Sequence, residues 1–419
     1  DDGHIDIGPF HDRPPPSLKP GALMPPPDLT SPYTGFNSAT FWLSVNTTPD
    51  APTAAVMIEN LYRKVTGQRL NGVVFIKPQA LSPLLRALGP VEIPRLEYTV
   101  TPENVVDFTT NQAYFLFNNR QKLRNRALGL VTEEVLNRFF AANRPKAAVK
   151  GLVDAAARGF IAIHSTDPGV QQGFAEAGID GDFTPGDGEF FAVVANSFSR
   201  NKVDYYVERT IDYDVELLDG GQADTEATVT LENTAPIQEG FNEALGPFPT
   251  HRRFPDGLVL RSGEAYPFLS FYCSASCTLR EPQGPARSEN VVPFSRYPQR
   301  GAQMFATSVR IKSQESRTFD LSLHSGKAWS GDDVQGTYLL RFRDQPVVKP
   351  TAVRLSIKLP PGMRMMSANI PITFEGDRLV WEGSLGEVQD IRIRFERPLL
   401  EKLWVKTKDF LTRPVFQIG

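Results

Sequence analysis

The sequence predicts an α+β, multidomain protein: an N-terminal α/β domain, then antiparallel β sheet, then an immunoglobulin-like β-sandwich. Three observations lead there. The chain has 419 residues, whereas a single domain takes up about 150. Its apolar residues recur with helical period up to about residue 202 and alternate beyond it. Glycine (32) and proline (35) are plentiful, yet 41% of residues are hydrophobic and 28 are phenylalanine, which excludes a wholly disordered or collagen-like chain.

Residues 1–38 carry PPPSLKP and MPPPDL, proline triplets that forbid helix and favour an extended segment lying along a surface. At the very start, Asp1-Asp2-Gly3 is hairpin-turn chemistry, and His4 to Ile7 alternates like the second strand of that hairpin. The chain therefore reads as a fragment whose first strand lies upstream.

Residues 39–202 form the α/β domain. Met57, Leu61 and Val65 recur at four-residue spacing, with Gly67 as a C-cap. Val73 to Ile76 is a continuous apolar run that predicts a strand buried on both faces. Gln79 to Leu88 reads as a helix stopped by Gly89-Pro90, and a second helix starts at Pro102 behind Thr101 and runs to about Tyr114. The longest helical pattern covers Arg120 to Ala142, with Leu128, Val131, Val135 and Phe139 on one face. A strand at Phe160 to His164, a helix at Val170 to Ala177 and a strand at Phe190 to Asn196 complete the unit.

The β half divides into a β-rich domain or extension over 203–300 and an immunoglobulin-like module over 301–398. Alternating runs at 205–217, 227–232, 258–272, 304–311, 318–324, 337–343, 353–359 and 391–395 supply the strands. Residues 399–419 read as an amphipathic helix and tail, with Leu399, Leu403, Trp404 and Phe410 among lysines. Such a helix docks on the protein or makes peripheral membrane contact.

Charge and motifs narrow the function. Lys+Arg 45 against Asp+Glu 48 leaves a net charge of -3, with no global attraction to nucleic acid. Cys273 and Cys277 are the two cysteines. Thiols so close make a short-loop disulfide, half a metal site or a free pair; the serines and alanine between them suit the disulfide, and the five histidines offer no zinc-finger spacing. A disulfide implies an oxidising, extracytoplasmic location. The densest cationic run, NNRQKLRNR, places Arg120, Lys122, Arg124 and Arg126 at the start of the long helix, where unpaired amides help hold phosphate oxygens. The other reading is a solvated helix face. Asp180, Asp182, Asp187 and Glu189 lie among glycines as calcium-seeking oxygens or ordinary turns. Asp212 and Asp214 share one face of a strand as a carboxylate pair of glycosidase type. His164 and Ser165 are adjacent in sequence, which is no catalytic arrangement. Nucleotide-binding, zinc-protease and hydrolase-elbow motifs do not occur, and no metal site is expected.

Two stretches carry a family resemblance. AAVMIENLYRKVTGQRLNGVVFIKPQALSPLLRALGPVEI with YTVTPENVVDFTTNQAYFLF, and NKVDYYVERTIDYDVEL with its later LENTAP, resemble the bacterial domain of unknown function 4012. That family commonly has a tryptophan and an aspartate before the first helix, matched in altered form by Trp42 and Asp50; Lys77 stands where it usually has an acid. The first stretch is more distantly similar to the LytR-CpsA-Psr glycan phosphotransferases. This likeness implies an α/β core of that kind, with Arg120, Lys122, Arg124 and Arg126 facing pyrophosphate and the helices around Leu85 and Leu128 bordering a lipid tail. In those enzymes an early arginine and aspartate come from strands that would precede residue 1. The expected function is a cell-envelope protein that binds or transfers an anionic polyprenyl-phosphate-linked glycan, with magnesium as a possible helper and cell-wall polysaccharide as another ligand. The alternative is a non-enzymatic structural or adhesion component of a surface assembly with protein partners.

Overall fold

The computed structural model describes residues 16–19, 21–25, 32–93, 96–140, 146–199, 201–247, 258–284, 294–345, 347–386 and 388–398. The expected C-terminal helix lies outside them, as does much of the proline-rich segment.

The helical part begins at α1 (Ala51–Thr66). Asp50 caps it by accepting from the Thr53 amide at 2.9 Å, and Gly67 ends it at φ 77° with its N–H on the Arg63 carbonyl. Strand β1 (Gly72–Ile76) leads to α2 (Pro78–Leu88), and the short strands β2 (Val91–Ile93) and β3 (Tyr98–Val100) pair as a hairpin. An irregular helical run follows, from Val105 through a wide turn at Phe108–Gln112 to Leu116. The long helix is α3 (Gln121–Phe140), succeeded by α4 (Lys146–Ala157), β4 (Ile161–Ser165) and α5 (Pro168–Glu176). A core of Leu84, Leu85, Val105, Phe108, Val131 and Val135 holds α2, the irregular run and α3 together. Leu85 is buried there and Leu128 packs against it.

The strand expected to be buried on both faces is not. β1 pairs with β4 alone, antiparallel, in a two-stranded sheet, and Val74 and Ile76 are exposed. The apolar run reports strand propensity, but no second layer covers its outer side.

Strand β5 (Glu189–Ser197), expected as the last strand of the α/β unit, instead lies in the middle of an eight-stranded sheet. It pairs antiparallel with β8 (Pro267–Ser274) and parallel with β14 (Gln335–Asp344). The same sheet holds β10 (Ser295–Gln299), β11 (Ala302–Ser308), β13 (Trp329–Gly331), β16 (Arg364–Ala368) and β19 (Val388–Glu396). A seven-stranded sheet contains β6 (Val207–Leu217), β7 (Ala223–Asn233), β9 (Cys277–Gln283), β12 (Glu315–Ser325), β15 (Ala352–Lys358), β17 (Thr373–Glu375) and β18 (Arg378–Ser384). β6 and β15 run parallel across this sheet. Strands from 203–300 and from 301–398 thus interleave in both sheets, and the division expected at 300 is not where the strands separate.

The two sheets share one core, in which Phe271, Phe319, Leu323, Leu340, Phe342 and Ile393 are buried. Alternation along each strand sends these residues inward, and burying each such side chain stabilises by roughly 1.5–3 kcal/mol before entropy is counted. β5 is buried on both faces because Tyr33, Phe36 and Met57 cover its outer side against Phe190, Val194 and Met304. That outer contact seats α1 on the sandwich. The Cys273–Cys277 disulfide, with Cα atoms 5.9 Å apart, spans the turn by which the chain leaves the eight-stranded sheet at β8 and enters the seven-stranded one at β9.

Candidate functional site

The four cations expected at one phosphate site do not converge. At about 100° per helical residue, positions two apart point to nearly opposite sides. Arg124 therefore turns inward while Lys122 and Arg126 turn out, and Arg120, just before the helix, is exposed as well. Arg124 is buried in an ion pair with Glu243, and its guanidinium lies 4.4 Å from the centre of the Tyr114 ring. Burial pushes the guanidinium below its ordinary range, while Tyr114 acts in the opposite direction.

Arg124 belongs to a polar seam that fastens the helical part to the sandwich. The Glu243 amide donates to Asn118 Oδ1 at 3.0 Å, so the loop after β7 is held at both the backbone and the side chain of Glu243. Lys202 approaches the Tyr114 ring at 5.1 Å. The turn before β6 contributes two hydroxyls: Tyr205 donates to Asp107 Oδ1 at 2.7 Å and Tyr206 donates to Asn111 Oδ1 at 2.9 Å. Burial, then the neighbouring Asp107, pushes the Tyr205 phenol up to about 12. A phenol so held stays protonated and donates throughout the neutral range. The wide helical turn at Phe108–Gln112 aims Asn111 and Asp107 at these tyrosines; such turns re-aim side chains that a regular helix would misdirect.

A second seam gathers at Asp50. Besides capping α1, its carboxylate accepts from the Phe183 amide at 3.1 Å and lies 3.3 Å from Arg300, which also reaches Asp182 at 3.4 Å. Trp42 packs edge-on against Tyr62 with ring centres 6.4 Å apart. Asp50 thus secures the start of α1, and Trp42 packs on Tyr62 nearer its end. Asp50→Ala is expected to cost about 2 kcal/mol, through the lost cap and the stranded Phe183 amide. Asp50→Asn keeps the cap and should cost less than half as much; urea denaturation of both variants checks the order.

The remaining candidates scatter. Asp180 and Asp182 hold the turn before β5, where the Asp182 and Thr184 amides donate to them. Asp187 is almost wholly exposed, while Glu189 is buried between the sheets. Among the described residues no group of three or more histidine, cysteine or acidic side chains is placed to hold a metal. His164 Nε2 is 3.5 Å from Glu59, and Ser165 Oγ accepts from the Asp167 amide at 3.1 Å, so they face different partners.

Asp212 and Asp214 lie on the outer face of the seven-stranded sheet. Carboxylates stand directly opposite one another there, Glu208 against Glu232, Asp214 against Glu226, and Glu216 against Asp224. Like charges so placed destabilise a sheet, and nearby cations offset them. Lys349 pairs with Glu208 and Arg378 with Asp214; Lys358 meets Glu216 at 3.0 Å and Arg280 meets Asp224 at 2.9 Å, while the His324 ring lies 2.6 Å from Asp224. Asp214 is therefore engaged in an ion-pair lattice on an open face, not in a cleft. Glu243, Tyr205 and Tyr206 are the residues that the linear sequence did not single out; the Tyr205-Tyr206 doublet was its one visible signal.

Residues 1–114 match the family described as Protein of unknown function (DUF4012), which supports that resemblance. The likeness to LytR-CpsA-Psr proteins gains no support. A search of curated proteins gives no match. Among solved structures, the chain is similar to a Legionella pneumophila protein described as a "putative nutrient binding protein", at 8% identity and TM-score 0.28, covering 55% of this chain and 77% of that one. It is also similar to an M1 zinc metallopeptidase from Deinococcus radiodurans (7% identity, TM-score 0.24, 45% and 42% covered). Leukotriene A4 hydrolase from Saccharomyces cerevisiae follows (9%, 0.24, 48% and 30%). The chain spans less than half the length of these two enzymes.

Proposed function

We propose that this chain is a non-enzymatic structural component of an extracytoplasmic surface assembly, a stiff module in which a helical unit is clamped to a broad β-sandwich. The observation that carries this reading is the use made of Arg124. One of the four side chains expected to meet phosphate is buried against Glu243 and Tyr114, and Asp107 and Asn111 of the same helical part accept from Tyr205 and Tyr206 of the sandwich. Charged and hydrogen-bonded groups gathered at a junction resist relative motion of the two parts. The Cys273–Cys277 disulfide supports an extracytoplasmic setting, since such bonds persist in oxidising compartments. Protein partners or cell-wall polysaccharide would be met by the ion-paired outer sheet.

A second reading, binding or transfer of a polyprenyl-phosphate-linked glycan in the manner of LytR-CpsA-Psr proteins, draws on the exposed Arg120, Lys122 and Arg126. Incubating the purified chain with a polyprenyl-pyrophosphate-linked oligosaccharide, a wall acceptor and magnesium separates the two. The structural reading expects no glycan on the acceptor. It also expects amide exchange in α3 and in β6–β7 to be limited by one common opening. Glycan transfer, or independent opening of the two parts, overturns it.

A further inference from the structure

We propose that the first half of α3, with the end of the irregular run before it, is a docking face for an anionic bilayer surface. Between Asp107 and Glu133 the chain contains no acidic residue. Within that stretch Arg120, Lys122 and Arg126 are exposed, and none of the three has an ion-pair partner among the described residues. Three leucines accompany them at the surface, Leu116, Leu123 and Leu130, exposed by 49%, 40% and 38%.

Helix geometry arranges these residues. Leu123 and Leu130 are seven apart and lie within about 20° of each other around the axis, with Arg120 about 60° to one side and Arg126 about 60° to the other. The result is an aliphatic stripe edged by long cations. Side chains of this kind lay their stems on apolar surface and extend their heads into a layer of phosphates, while the leucines enter the boundary beneath. The positive end of the α3 dipole lies at the same end. Glu133 and the Glu134–Arg138 pair close the patch further along the helix. A second copy of the chain would bring the same three cations against themselves. Arg124, about 100° around the axis from Leu123, already anchors α3 to the sandwich, so the face is presented by a fixed support.

The inference does not depend on the structural reading, because a transferase could dock in the same way. It is tested by co-sedimentation of the full chain with vesicles rich in phosphatidylglycerol and with pure phosphatidylcholine vesicles. Binding is expected to the first, falling steeply with salt. The variant Arg120→Gln/Lys122→Gln/Arg126→Gln should lower the partition coefficient on the order of 100-fold, since each basic residue near an anionic surface contributes about fivefold. Leu123→Ser/Leu130→Ser should also weaken it. Removing the same charge elsewhere, at the exposed Lys64, Arg69 and Arg364, should leave binding intact. No binding by the native chain, equal binding by the triple variant, or equal loss with the control variant overturns the proposal. So does displacement by millimolar inorganic phosphate, the mark of a discrete anion pocket, and so does loss of self-association without vesicles in the same variant.

Discussion

Arg124→Ala is expected to destabilise the folded chain by about 3–5 kcal/mol, the usual cost of leaving one member of a buried ion pair without the other. The side chains of Arg124 and Glu243 retain only 9% and 13% of their accessible surface. The carboxylate left behind would have no water shell and no cation. Tyr114 would lose the guanidinium stacked on its ring, worth a further fraction of the total. Glu243→Gln should cost less, because the amide still accepts from Arg124 and its backbone N–H still reaches Asn118. Replacing both charges together, Arg124→Leu with Glu243→Leu, should recover most of the loss, since two apolar side chains remove the desolvation penalty along with the attraction. Urea denaturation of the native chain, Arg124→Leu, Glu243→Leu and the double leucine variant closes a double-mutant cycle, and a coupling energy near zero would mean that the pair is not a clamp. The double variant also tests the rigid-module reading. Stability would return without the directional contact, and amide exchange should then show α3 opening ahead of the sandwich.

Arg124 also shows where the linear sequence stops being informative. The run NNRQKLRNR looks like one basic cluster on paper, but alternation along a helix divides it between two faces. Which face is buried depends on Glu243, 119 positions away, in a loop with no periodicity of its own. Local signals are legible where one element decides its own fate: Gly67 ends α1, the four-residue spacing of Val131, Val135 and Phe139 marks the buried side of α3, and Phe319, Leu321 and Leu323 alternate into the sandwich core. Pairing between distant strands was not legible. The parallel contacts of β5 with β14 and of β6 with β15 join segments about 150 residues apart, and they merge what composition suggested were separate β modules. Short strands such as β13 and β17, three residues each, carry too few positions for any period to show.

Glu189 yields the second large effect, and its sign depends on pH. This carboxyl is buried between the sheets and meets hydroxyls only: Tyr338 at 2.5 Å, Ser325 at 2.9 Å and Thr225 at 3.5 Å. Tyr213 also lies close enough to be affected by its charge. Burial raises its pKa above the usual carboxylate range, and the three hydroxyls lower it only in part. A raised folded-state pKa means that the folded chain holds the proton more tightly than the unfolded chain does. The resulting stability is fully present below the unfolded value of about 4.3 and is lost as pH rises through the higher folded value. Glu189→Gln keeps the shape and the acceptor without a charge, so its stability should not fall over that window and should exceed that of the native chain at neutral pH. Glu189→Ala should instead cost about 2–4 kcal/mol at acid pH, because Tyr338 and Ser325 lose their acceptor and a cavity opens between the sheets, and that cost should shrink as pH rises through the folded value. Thermal or urea unfolding of the three proteins from acid to mildly alkaline pH separates these outcomes. If the native chain gains stability relative to Glu189→Gln as pH rises, the carboxylate is stabilised by charge inside the core, and the assignment of a neutral, hydroxyl-bound acid fails.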